Sequence, residues 1–261
     1  MERRKIWAVD IDIVGPITIS NVINFRQEKG FDQDQFYSNI ILQNAEYGVA
    51  ATVTAYAESA EIAKMAAFVF LGRMTDVLVF DNGISLSLYD HGELSGSFNQ
   101  NSTRRLLAEE EFVAAFNIAR KLEQEHHYLL KAIGWYAKGM NSNNTLDAFL
   151  SFWNAIEISG EHYHTHTDRS ESGAINMVYQ CFLDYFGTEE QWHLPDRWIN
   201  DMHDQRNKIA HGGLETTAAA INDVSILIPS LTNVAKRILD AILIKHYPQD
   251  IFEQEGWLAI F

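Results

Sequence analysis

Apolar and polar positions change their period once along this chain, and that change divides it. Residues 5–20 read as strand, with Ile6, Ala8, Ile11 and Ile13 set among polar positions and Gly15-Pro16 interrupting the run. Asp10 and Asp12 then share one face at period two. Paired acids on a strand can hold a metal, but with no third ligand nearby they are expected as a solvated face. Residues 26–39 are polar and aromatic without a period and read as loop or short helix. Tyr47 to Tyr56, rich in Val, Thr and Ala, reads as a second strand. A helix follows from Ala57, with Glu58 or Ser59 serving its first-turn donors. Its stripe of Ile62, Met65, Ala66, Val69 and Phe70 is expected in the core. Val77 to Phe80 is a short apolar run, Asp81 to Gly83 a turn, and 84–90 alternates as a further strand. The order makes residues 1–98 a small α+β domain.

Gly92 to Ser102 is polar and turn-rich, and the domain boundary is placed there. Beyond it strand signals stop and the period becomes helical. Leu106 to Leu122, Leu129 to Met140, a segment capped by Thr145, Ile175 to Phe186, a segment opened by Pro195, and Ile221 to His246 all read as helix. Pro229 is expected to kink or restart the last of these. Residues 99–261 are thus expected as a helical bundle, and the fold class is α+β. The apolar tail from Trp257 to Phe261 is expected to pack on the body or on a partner.

Composition narrows the function. The chain has 261 residues and a formal net charge of −15. A general nucleic-acid coat protein carries a basic face, so any nucleic-acid contact must come from a local cleft, and weak binding to bulk duplex DNA is expected. Cys181 is the one cysteine, which rules out an intrachain disulfide, fits a reducing cytoplasm, and reads as a small buried hydrophobe. No signal peptide is expected, and the most apolar run, Met65 to Leu71, is too short to span a bilayer. No membrane partner is expected.

The chemistry concentrates at Arg206, Asn207 and His211, followed by Gly212-Gly213. Asn207 and His211 lie one helical turn apart, whereas Arg206 and His211 are about 140° apart around the axis. Two facing copies of the helix would bring both residue types to one phosphodiester. An arginine holds phosphate charge and a histidine moves protons. The plainer reading is that both cations complement a helix C-terminus. Arg120 with His126 or His127, and Arg197 with His203, repeat the spacing without the same context.

Two further groups stand out. Trp153 and Glu157 share a helix face, and a carboxylate on so apolar a face needs a partner. Arg206 is the candidate, either oriented by Glu157 or simply paired with it. His162, His164 and His166 alternate in a polar segment that reads as an exposed loop, and are weak candidates for a Zn²⁺ site. Glu125, His126 and His127 read as a solvated surface.

With these residues in view, the helical half resembles the HEPN superfamily, in particular its Apea-like branch. The matching runs are Ala132 to Tyr136, Phe149 to Glu157 and Arg206 to Gly212, in family order, across about residues 105–250. The resemblance implies a bundle that forms a homodimer and pairs two copies of the motif. It further implies an endoribonuclease of toxin or antiviral systems that needs no metal or other cofactor. Arg206 would stabilise the scissile phosphate of RNA. His211 would move a proton as the 2′-hydroxyl attacks, and Asn207 would position either. Trp153 and Glu157 would support them. Gly213 stands where some family toxins carry a tyrosine that their antitoxin modifies. An antitoxin or sensor partner is expected to use residues 1–98. The alternatives are a non-catalytic HEPN dimerisation or ligand-binding module, and a metal-dependent hydrolase built on His162, His164 and His166.

Overall fold

The structure is a computed structural model that describes residues 5–30, 36–93, 103–215 and 217–247. The tail from Trp257 to Phe261 and most of the turn-rich stretch at 92–102 lie outside the described residues. The fold is α+β, an antiparallel sheet in the N-terminal part followed by a bundle of helices. Two compact units result, and the chain passes from one to the other between Ala119 and Arg120.

In the first unit, β1 (Lys5–Val14), β3 (Ile23–Gly30), β4 (Phe36–Ala45), β5 (Gly48–Ala57) and β6 (Ser87–Asp90) form one sheet in the order β3-β4-β5-β1-β6. All of its pairings are antiparallel. The expectation of loop or short helix at 26–39 fails where the backbone is described, because β3 and β4 pair there. Register shifts between Arg26 and Lys29 and between Tyr37 and Asn39 explain the lost signal. A bulge breaks the period-two pattern on which a strand assignment depends. Ile11, Ile13, Ile40, Leu42, Val49, Ala51 and Val53 are buried on one sheet face.

Helix α1 (Ala60–Asn82) covers the sheet, chiefly over β5 and β1. Ser59 caps it, accepting a hydrogen bond from the Ile62 N–H at 3.3 Å. The core stripe expected on this helix is corrected in part. Ala66 and Phe70 are buried, but Met65 is 61% and Val69 46% exposed. The buried positions run through Ala63, Ala67, Leu71 and Met74, and then through all of Val77 to Phe80. In the first turns the buried positions are small alanines, Ala63, Ala66 and Ala67, while the larger Met65 and Val69 face outward. A second correction concerns Arg105–Leu107 (β7). It pairs in parallel with Ile17–Ile19 (β2), although strand signals were expected to stop before it. Helix α2 (Glu109–Glu125) follows, and its Phe116 meets Phe25 edge-on at 5.2 Å.

The second unit is built around one helix. Helix α4 (Thr145–Tyr163) packs against α3 (His127–Asn141), α5 (Ala174–Phe186), α6 (Trp198–Ala210) and α7 (Ala218–His246). Its sequence explains this, because Ala148, Phe149, Phe152, Trp153, Ala155, Ile156 and Gly160 are buried and form one broad apolar face. The cap is Asn144 rather than Thr145. The Asn144 side-chain oxygen accepts from Leu146 N–H at 2.9 Å and Asp147 N–H at 3.2 Å. Gly160 lets α5 come so near that an added Cβ would lie 2.8 Å from Val178 Cα. Pro229 sits inside α7 without ending it. Among the described residues, no helix is long and apolar enough to cross a membrane.

Candidate functional site

Helix α6 is anchored at its first turns. Trp198, Ile199 and Met202 are buried, and the Trp198 indole N–H donates to Ser230 Oγ at 3.1 Å. Arg206 lies one turn beyond Met202, so the anchored stripe carries its guanidinium inward toward α4. There Arg206 Nη2 lies 3.5 Å from Glu157 Oε2, with the two side chains 28% and 21% exposed. Arg206 Nη1 also donates to Asn207 Oδ1 at 3.1 Å.

The Asn207 amide is shared. Its oxygen accepts from Arg206, and its nitrogen lies 3.4 Å from His203 Nδ1, at the long limit of a hydrogen bond. The His203 ring in turn stands 6.1 Å from the fully buried ring of Trp153. Trp153, Glu157, His203, Arg206 and Asn207 therefore form one connected set on α4 and α6. His203 is the member that the sequence reading set aside as part of a repeated spacing. Its signal was the four-residue separation from Asn207, which puts the two side chains on one face.

His211 is placed differently. The helix ends at Ala210, and His211 follows with φ −102° and ψ 10°. Gly212 then takes φ +70°, which suits glycine, and Leu214 N–H closes the turn onto Lys208 O at 3.0 Å. The imidazole of His211 is exposed and has no hydrogen-bond or ion-pair partner among the described residues. A single chain thus offers an oriented, half-exposed guanidinium and, beyond the last helical turn, a free imidazole. A guanidinium is a group that can bind an anion, and a free imidazole is one that can transfer a proton.

The histidine segment does not form a three-histidine site. His162 stacks on Tyr128 at 3.4 Å with 9° between the rings, away from a common focus with its neighbours. His164 is buried, which corrects the expectation of a wholly exposed loop. Among the described residues, no group of three His, Cys, Asp or Glu could hold a metal ion. His126 is not simply solvated either. Its ring packs against those of His246 at 5.0 Å and Tyr247 at 5.4 Å. Cys181 is buried beside the Ser159 carbonyl, and burial pushes its thiol far up, so it is no nucleophile. Asp12 also departs from its expectation. It is buried rather than solvated, and accepts from Tyr47 Oη at 2.5 Å and His91 Nδ1 at 2.8 Å.

Compared with protein-family models, with curated proteins and with solved structures, the chain has no match in any of the three.

Proposed function

We propose that this protein is a metal-independent endoribonuclease of the HEPN type, a dimer acting as a defence or stress effector. The observation that supports the reading most is the joint state of Arg206 and His211. Arg206 is fixed by Glu157 and Asn207 yet remains open to solvent, and His211 stands exposed at the end of the same helix. A guanidinium has five N–H donors in a fork that matches phosphate, and the two contacts to Glu157 and Asn207 leave others free. Across a two-fold axis, Arg206 neutralises the phosphorane charge. His211 relays a proton while the RNA 2′-hydroxyl attacks phosphorus and the 5′-oxygen leaves, giving a 2′,3′-cyclic phosphate. Asn207 holds the guanidinium plane, and Trp153 and Glu157 support it from α4. The second reading is a non-catalytic HEPN module, favoured by the fact that Arg206 already has a carboxylate partner within its own chain.

The test is cleavage of mixed cellular RNA in the presence of a chelator, wild type beside His211→Ala. Cleavage by wild type alone, with cyclic-phosphate ends, is the expected result. Equal cleavage by both proteins, or activity that vanishes with chelator, overturns the proposal.

A further inference from the structure

The chain between α4 and α5 is polar in sequence but firmly built. Thr165 N–H donates to Asp184 Oδ2 on α5 at 2.5 Å. Thr167 N–H donates to Ser170 Oγ at 3.0 Å, Ser170 N–H donates back to Thr167 Oγ1 at 3.2 Å, and Ser170 is fully buried. This scaffold carries His164 and His166. His164 is only 8% exposed. Its Nδ1 lies 2.7 Å from the Gly160 carbonyl oxygen. A carbonyl can only accept, so Nδ1 carries the hydrogen. In the neutral ring Nε2 then presents a lone pair. That Nε2 is buried and meets no hydrogen-bond partner among the described protein groups. An unmet buried polar atom is costly and calls for an explanation.

A second imidazole stands beside the same ring. The His166 ring centre is 4.7 Å from that of His164, with 59° between the planes, and His166 itself is exposed. Two imidazoles bound to one tetrahedral ion at the usual Zn–N distance of about 2.0–2.1 Å have ring centres roughly 5 Å apart. A backbone carbonyl on Nδ1–H is the outer contact that fixes a ligating histidine's tautomer and orientation. We propose that His164 and His166 form a two-histidine site for a borderline-soft divalent cation, of which zinc is representative. Water completes the coordination. The cation ties the C-terminal end of α4 to the segment leading into α5. His162 is not part of the site, because its ring is engaged on Tyr128. This inference shares no residue with the Arg206 set and does not rest on the ribonuclease reading.

The experiment uses the full chain, stripped with chelator and dialysed, and titrated with zinc chloride. Calorimetry and thermal unfolding are followed for wild type, His166→Gln and His162→Gln. Wild type is expected to bind one equivalent and to show a Tm that rises with zinc concentration. His166→Gln, a change at an exposed side chain, is expected to keep its metal-free Tm and lose both effects. His162→Gln is expected to keep both. In a spectrum of histidine-labelled protein, zinc is expected to move the Nε2 resonance of His164. Absence of the Tm shift in wild type, equal binding by His166→Gln, loss of binding in His162→Gln, or an unmoved Nε2 resonance each overturns the proposal.

Discussion

Arg206 of α6 is paired with Glu157 of α4 at 3.5 Å, and each side chain keeps more than a fifth of its surface in contact with water. Ion pairs as open as this one contribute about 0–1 kcal/mol to stability. A charged pair of so little structural worth is better suited to orientation than to cohesion. Glu157→Gln is expected to move Tm by no more than a few degrees, while RNA cleavage falls because the guanidinium loses its anchor. Thermal unfolding and a cleavage assay on the same preparation check this. A variant that unfolds outright would make the pair structural.

The dimer reading predicts complementation. Arg206→Ala is expected to lower cleavage by about 10²–10³-fold, the usual effect of removing one charge-stabilising donor. His211→Ala is expected to lower it about 10²–10⁴-fold, the range for a general acid–base group. When the two inactive variants are mixed, unfolded and refolded together, activity is expected to return, because a two-fold seam can draw Arg206 from one chain and His211 from the other. A mixture that stays inactive argues for a site within one chain.

Asp76 is half-buried on α1 with no hydrogen-bond or ion-pair partner among the described residues, and burial raises its pKa to about 7. The folded pKa lies above the unfolded one. The native state is therefore favoured most at low pH and loses stability as pH rises from the ordinary aspartate range to about 7. Asp76→Asn removes this penalty. Urea unfolding is expected to show the variant more stable than wild type at pH 8, with the gain gone at pH 4.

His91 carries the same sign by another cause. Its hydrogen bond to the Asp12 carboxylate raises its pKa above the usual histidine value. Stability from this pair is fully present below the unfolded histidine pKa, near 6.5, and declines as pH rises through the raised folded value. His91→Gln is expected to flatten the stability profile above pH 6.5, measured by urea unfolding at several pH values. Tyr47, pushed up to about 12 by burial and by Asp12, keeps its proton and stays a donor throughout.

At Gly160, α4 and α5 approach each other closely. A methyl group there would lie 2.9 Å from Val178 N and 2.8 Å from Val178 Cα, so backbone rather than a flexible side chain would have to move. Gly160→Ala is expected to cost about 1–3 kcal/mol, as overpacking does, despite alanine's better helix propensity. Denaturant unfolding checks the sign. A neutral or stabilising change would mean that the helices separate freely.

Much of the site could be read in advance because helix geometry is local. Glu157 and Trp153 fell on one face by counting, and Arg206 was the natural partner for a carboxylate on an apolar face. His203 was missed for the opposite reason. Its value lies in what Asn207 does with its two amide ends, one toward Arg206 and one toward the ring. That is a matter of rotamers, which spacing alone does not determine. The stripe on α1 misled because burial followed the small residues Ala63 and Ala67, not the larger Met65 and Val69.

By itself the sequence determined the α+β class, the helical segments from α3 to α7 and the position of the Arg206–His211 motif near a helix end. All of these follow from periodicity and from the stop residues after His211, which act over one or two turns. Only the tertiary structure decided that Asp12 is buried, that β3 and β4 pair through shifted registers, and that His164 hides an unmet nitrogen while His162 turns to Tyr128. These depend on contacts between residues distant in the chain. Their energies arise from desolvation and packing that no local pattern encodes.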